Sequence, residues 1–380
     1  MSERKKHVII VAGEASGDMH AARLVDELKK IDPSISFSGL GGQSMKASGV
    51  ELYADLTRLA VIGFVEVVRH YDEIRQLFEL VLDKVRETKA DAVILVDYPG
   101  FNLRLAKALK KHNIKVFYYI SPQVWAWKAS RIKAINRYTD KMFVLFDFEK
   151  EFYARHNTAV EFVGHPLVDM IQTSRPREQV LQAAGLKDDR LTIGILPGSR
   201  EKEIERILPV MLDAAGILAS RHREIQFLLL KAPTIDLTVL GRYLAGRDLP
   251  LKIIQNDIIN GIHACDVCMV TSGTATLETA ILQKPMVVVY KTSLLTWLLA
   301  KLLIRIPCIG LVNIVARQPI VPECIQFTAT GQHIADELEN IFTDEVKLAE
   351  IKSSLGKVKN SLGQPGASRR TAQEILKSLS

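Results

Sequence analysis

No stretch of roughly 18 uncharged apolar residues occurs in the 380-residue chain, so no helix is expected to span a bilayer. Cysteine is scarce. Cys265, Cys268, Cys308 and Cys324 are too few, in so long a chain, to form a disulfide framework. Cys265 and Cys268 make one CxxC, a pattern that serves redox or metal chemistry. No second CxxC follows, and residues 262–270, IHACDVCMV, read as a buried strand, which favours a place in the core. A GxxxxGK[ST] loop is missing, and GEASGD at residues 13–18 lacks the spacing of a dinucleotide fingerprint. These absences turn the reading away from ATP and NAD, and no cofactor is expected.

What is present is an ordinary globular composition, 48% hydrophobic and 24% charged, at a length that suits two domains of roughly 150 to 200 residues. The net charge of +7 favours an anionic partner: a nucleotide, a phosphorylated lipid, an acidic membrane surface or nucleic acid. Nucleic acid is disfavoured, because the charge is not gathered in one block and no RNP, KH or helix-turn-helix signature occurs. The opening MSERKKHVIIVAGEASGD has basic residues before an apolar run, like an export signal. The run is short and Gly13, Glu14 and Asp18 follow at once, so it reads as a first buried strand and the expected compartment is the cytoplasm.

Short apolar runs alternate with stretches of helical period, the pattern of parallel βαβ units. Strands are expected at residues 7–11, 36–40, 92–96, 115–120, 141–145 and 160–163, making one doubly wound half. After a polar stretch at residues 172–190 a second series begins, with strands at 191–196, 226–230, 251–254, 267–270 and 286–290 and a helix at 201–220. The expected domains are residues 1–172 and 186–345, with a helical segment at 346–380 whose last helix, 366–380, could complete the first domain. Ligands in such sheets sit beyond the carboxyl ends of the strands, so two facing halves predict a cleft.

Two turns suit phosphate. Gly198, Ser199 and Arg200 in LPGSR stand after a strand and before a helix, where backbone N–H groups and a bidentate guanidinium can meet phosphate oxygens, although Ser199 could simply cap the helix. The run Ser272, Gly273, Thr274, Ala275 repeats the placement, and Glu278, about one turn into the next helix, can accept from ribose hydroxyls. Two such turns without an NTPase or Rossmann signature point to a nucleotide sugar. Asp97, at the end of a strand in ILVDYPGFN, is placed as a general base for an acceptor hydroxyl, with a turn or cap aspartate as the alternative. Glu14, Ser16 and Asp18 in the first loop could bind sugar or supply the base instead.

Other features bear on a lipid substrate. Trp125 and Trp127 lie on the loop SPQVWAWK and could stack on sugar, touch lipid or fill core. Lys128, Arg131, Lys133 and Arg137 recur at helical spacing as a solvated face that an anionic acceptor could use. Residues 294–304, LLTWLLAKLLI, suit a helix lying in a membrane interface through Trp297, Leu298, Leu299, Lys301 and Leu302; a core or dimer helix is the alternative. A second apolar stretch at residues 59–68, LAVIGFVEVV, suits an acyl-chain groove.

Taken together, VAGEASGD, AVIGFVEV, VDYPGFN, SPQVWAWK, FEKEFY, FVGHPLVD, LPGSR, SGTATLE and LVNI, in this order up to about residue 315, resemble the lipid-A-disaccharide synthase family of glycosyltransferases. The resemblance implies a GT-B-type α/β fold with two Rossmann-like domains and an inverting, metal-independent transfer. The absence of a DxD pair agrees. It further implies UDP-2,3-diacylglucosamine as donor, the 6-hydroxyl of 2,3-diacylglucosamine 1-phosphate as acceptor, and a β-1,6 tetraacyl-disaccharide 1-phosphate and UDP as products in lipid A biosynthesis. By the same resemblance Asp97 is the base with Glu14 and Ser16 nearby, Arg200 and residues 272–278 hold UDP, and Asn313 joins them at the nucleotide end. Peripheral association with the cytoplasmic face of the inner membrane and a homodimer are implied too. The rival enzymes are another GT-B transferase or a UDP-sugar 2-epimerase, which would need no lipid-facing surface.

Overall fold

A computed structural model describes residues 5–57, 71–125, 131–303 and 307–379. The chain forms two compact units, Met1–Pro166 with Leu362–Ser380, and Leu167–Ser361.

The first unit is built on seven strands, β1 (His7–Ala12), β2 (Ser36–Gly41), β3 (Glu51–Asp55), β4 (Ala92–Val96), β5 (Lys115–Tyr119), β6 (Lys141–Val144) and β7 (Glu161–Phe162). Their order is β3-β2-β1-β4-β5-β6-β7, and every pair is parallel. The chain starts in the middle and winds outward both ways, so β1 and β4 are neighbours, in register from Val8 opposite Ala92 to Ala12 opposite Val96. Both strands are covered on both faces, which is why VIIVA and AVILV are unbroken apolar runs rather than alternating ones. Gly39 is required by β1: a Cβ there would stand 1.8 Å from the Ile10 carbonyl oxygen.

The last helix, Ala367–Leu379, belongs to this unit and packs on Ala15–Ile31, burying Ala367, Thr371, Ala372 and Ile375. Arg370 ties it down by donating to the Val163 carbonyl from Nε at 2.9 Å and from an Nη at 2.7 Å. Glu374 adds an ion pair to Lys141. The preceding helix, Glu345–Ser361, falls in the other unit, so the stretch expected as one C-terminal segment divides at residue 361.

The second unit repeats the plan with six strands, β8 (Leu191–Leu196), β9 (Ile225–Leu230), β10 (Leu251–Ile254), β11 (Val267–Thr271), β12 (Met286–Tyr290) and β13 (Glu323–Ile325). The order is β10-β9-β8-β11-β12-β13, again parallel throughout. β8 and β11 take the central places, and each is followed at its carboxyl end by a short turn and a helix, Glu201–Arg221 and Thr274–Ile281. Cys265 and Cys268 are buried free thiols packed on Gly194 of β8, where a Cβ would lie within 2.9 Å of both sulfurs. Cys265 donates to the Gly261 carbonyl at 3.2 Å, and the neighbouring thiol and burial hold its pKa well above the ordinary value. The CxxC is core.

Candidate active site

The two phosphate-suited turns of the second unit open on one cavity of about 400 Å³. Gly198, Ser199 and Arg200 form one side, Ser272, Gly273 and Thr274 the other, while Leu230, Ile258 and Ile259 supply an apolar wall. Glu278 lines it as well; burial pushes its carboxyl pKa up, and no described residue hydrogen-bonds to it. The amides of Gly273, Thr274 and Ala275 find no acceptor among the described residues, as expected for the first residues of a helix. Thr271 ends β11 and lines the cavity with a buried hydroxyl that has no partner among the described residues.

The turn after β8 differs from the sequence expectation in one respect: its donors are already occupied. Glu203 reaches back so that its Oε2 accepts from Ser199 N at 2.9 Å and Arg200 N at 3.3 Å, and its Oε1 accepts from the Arg200 guanidinium at 3.0 Å. Gly198, at φ +115°, makes room for this carboxylate, since a Cβ there would be 2.5 Å from Oε2. Ser199 therefore offers no side-chain cap; the cap is the glutamate three residues into the helix, one half of a capping box. A glutamate three residues into a helix is the sequence signal of such a box.

Asn313 does not line the cavity. Its side chain is 1% exposed and fully spent: Nδ2 donates to the Val321 carbonyl at 2.9 Å and to Glu323 Oε1 at 2.8 Å, while Oδ1 accepts from Ile320 N at 2.9 Å and Val321 N at 3.1 Å. Its side chain therefore meets the cavity only through Glu323 and the loop at Ile309. Glu323 accepts from the amides of Ile309 and Gly310, both at 3.0 Å, and the Ile309 carbonyl accepts from Ser272 Oγ at 2.9 Å. Asn313 and Glu323 together fix the loop that holds Ser272.

In the first unit, the carboxyl end of β4 is strained. Asp97 and Tyr98 both have left-handed backbones, at φ 46° and 44°, immediately before Pro99, which disfavours helical geometry in the residue preceding it. The conformation is held by hydrogen bonds to the Asp97 carbonyl from Asn102 Nδ2 at 2.8 Å and Tyr118 OH at 2.5 Å, with Asp97 N donating to the Tyr119 carbonyl at 3.0 Å. Gly13 has no side chain because the Tyr98 ring lies where its Cβ would be, at 2.4 Å. Just past the end of β5, Ile120 is also left-handed, at φ 68°, which is unusual for a β-branched residue.

Burial, with the negative charge of Glu14 adding to it, pushes the Asp97 carboxyl up to about 7, against a pull downward from the Tyr98 amide. Glu14 caps the helix Ala15–Ile31 with its backbone, and both it and Ser16 are exposed. Asp18 is different: its carboxylate is buried and accepts from the amides of Gly42 at 2.7 Å, Ser44 at 2.9 Å and Met45 at 3.2 Å. It is tied up in fastening residues 42–45, so Asp97 and Glu14 remain as candidate bases.

A family model described as lipid-A-disaccharide synthetase matches residues 8–377. The chain belongs to this family. A lipid-A-disaccharide synthase of Geobacter metallireducens is 42% identical over 374 residues, covering 98% of this chain and 97% of that one, and one of Syntrophus aciditrophicus is 44% identical over 368 residues, covering 97% and 96%. Among solved structures, a UDP-GlcNAc 2-epimerase from Neisseria meningitidis superposes with a TM-score of 0.65 at 15% identity, covering 98% of this chain and all of that one. The glycotransferase of kitacinnamycin gives 0.66 at 14% identity, covering 99% of this chain and all of that one. At such identities the likeness shows the fold, which is GT-B; membership of the family makes the chain a glycosyltransferase.

The second unit also carries an apolar surface. The helix Leu294–Leu303 exposes Leu294 by 58% and Leu298 by 50%. Lys301 Nζ stands 4.4 Å over the Trp297 ring, and Trp297 meets Phe327 edge-on at 5.2 Å. Phe327 is 66% exposed and was not foreseen, because its loop after β13 meets the helix only in the folded chain. The side chains of Leu299 and Leu302, and residues 59–68, 127 and 128, lie outside the described residues. Among the described residues no helix is long and apolar enough to cross a membrane.

Trp125 packs edge-on against Phe148 at 5.2 Å within an aromatic group that includes Phe146 and His165. Burial holds His165 down to about 3 and, on the helix Ala15–Ile31, His20 down to about 4. Both are neutral at pH 7 and supply no charge to an anionic acceptor. Lys133 and Arg137 point to solvent from the helix Arg131–Tyr138.

Proposed function

We propose that the protein transfers 2,3-diacylglucosamine, with inversion, from UDP-2,3-diacylglucosamine to the 6-hydroxyl of 2,3-diacylglucosamine 1-phosphate. The observation that carries the chemistry is Asp97: a strained, desolvated carboxyl whose pKa of about 7 matches what a base needs near neutrality. Ionised, it takes the proton of the acceptor hydroxyl as that oxygen attacks the anomeric carbon. The bond from that carbon to the β-phosphate oxygen breaks, and its electron pair leaves with UDP.

The cavity of the second unit takes the donor. The free amides of Gly273, Thr274 and Ala275 and the guanidinium of Arg200 meet the charge that grows on the departing diphosphate. Glu278, without a partner in the cavity wall, accepts from the ribose hydroxyls. The epimerase from Neisseria, which shares the fold, was crystallised with UDP-GlcNAc, in keeping with a UDP-sugar ligand here. Leu294, Trp297, Leu298 and Phe327 touch the cytoplasmic face of the inner membrane, where acylated substrates reside, and Lys301 reaches toward anionic headgroups.

The test is UDP release from the purified protein supplied with both substrates, with and without a chelator. Release that requires both lipids and produces the disaccharide is the expected outcome. Release of UDP without acceptor, or conversion of the donor sugar to its 2-epimer, would reject the transfer.

A further inference from the structure

The turn after β8 already holds an anion, and it is the protein's own. The Glu203 carboxylate takes the amides of Ser199 and Arg200, at 2.9 and 3.3 Å, and the Arg200 guanidinium, at 3.0 Å. It also fills the space left open by Gly198. A carboxylate and a phosphate ask for the same donors, so the groups that suit the diphosphate on this side of the cavity are those Glu203 now satisfies. On the other side Ser272 is engaged, its Oγ by the Ile309 carbonyl and its amide by the Val289 carbonyl, but the donors that follow it are unspent. The amides of Gly273, Thr274 and Ala275 have no acceptor among the described residues, and the Thr271 hydroxyl, in a residue 3% exposed, lines the cavity without a partner. One cavity thus has a closed side and an open side.

We propose that Glu203 is a positioning residue that stands in for the donor's diphosphate: it keeps the turn and Arg200 preformed while the site is empty and is displaced when the diphosphate binds. Two anions cannot share these donors, and the Glu203 side chain is 20% exposed, which leaves it a way out to water. Displacing it makes UDP bind more weakly than the bare donors would allow. Its return helps UDP leave after transfer. This rests on the donor-site reading above and deepens it by naming what the nucleotide must push aside.

The experiment is titration of UDP and of inorganic pyrophosphate into wild type, Glu203→Gln and Glu201→Gln, with thermal melts as the check on folding. Glu203→Gln keeps an acceptor for the turn but removes the competing charge. UDP is expected to bind it about tenfold more tightly, with pyrophosphate following, donor KM falling and kcat falling as UDP release slows. Glu201→Gln, exposed on the same first turn, removes equal charge without touching the turn and is expected to bind like wild type. Unchanged or weaker UDP binding in folded Glu203→Gln would overturn the inference and leave Glu203 a helix cap. Equal tightening in Glu201→Gln would overturn it too, as general electrostatics. A wild type that binds no UDP would defeat the donor-site reading itself, and the inference with it.

Discussion

The turns after β8 and β11 contain no left-handed non-glycine residue and owe their suitability for anions to amides and a guanidinium. The turn after β4 puts two such residues in succession and partly desolvates a carboxyl there. Both arrangements sit at the carboxyl ends of central strands in the same doubly wound plan, yet they carry different costs. The second unit leaves some donors without an acceptor among the described residues and lends others to Glu203. The first unit stores strain and a desolvated acid, which is the environment that raises a base to working pKa. Binding and proton transfer, on this view, are separable properties of the two sheets, and substitutions should separate them.

The largest effect is expected at Asp97. Asp97→Asn should lower transfer by about 10²–10⁴-fold while UDP binding, measured by titration, stays within about twofold. The same variant should be more stable than wild type at pH 8. The folded carboxyl holds its proton up to about 7, against an ordinary value of 3.8, so between those values the unfolded chain ionises first and stability is lost as pH rises. Asparagine removes that loss and accepts a left-handed backbone readily, for a gain of up to about 4 kcal/mol at most. A melting temperature that falls at pH 8 would mean that Asp97 is structural.

The second unit should respond in the opposite sense. Asn313→Ala leaves the amides of Ile320 and Val321, the Val321 carbonyl and Glu323 short of a partner, and should cost about 2–4 kcal/mol. Because it loosens the loop that holds Ser272, donor KM should rise about tenfold with a smaller change in kcat; an unchanged KM would detach this network from the nucleotide. Smaller still, Leu298→Glu with Phe327→Glu should reduce binding to vesicles containing anionic lipid severalfold, with stability altered by no more than about 0.5 kcal/mol because both residues are exposed. Undiminished vesicle binding would remove this patch from the membrane account.

Much of this comparison was legible beforehand, for a physical reason. β1, β4, β8 and β11 are buried on both faces, so each is predominantly apolar, with at most a threonine or histidine interrupting, and the turn residues that follow them are conspicuous. β3 and β13 were missed because they are short edge strands in which Glu51, Asp55 and Glu323 break the pattern. The sites were legible as loops but not as wiring. That Asp18 fastens residues 42–45, that Asn313 faces inward, that Glu203 fills the turn before it and that Phe327 meets Trp297 all depend on where side chains point once the chain has folded.

The proposed base, Asp97, owes its raised pKa to desolvation and to Glu14. The direct measurement is the single-turnover transfer rate across pH 5 to 9 in wild type and Glu14→Gln. Wild type should rise through a midpoint near 7 and then level off, and Glu14→Gln should shift that midpoint to lower pH, since the neighbouring negative charge that helps hold the proton is gone. A rate that is flat through neutrality, or a midpoint that Glu14→Gln leaves in place, would contradict that assignment.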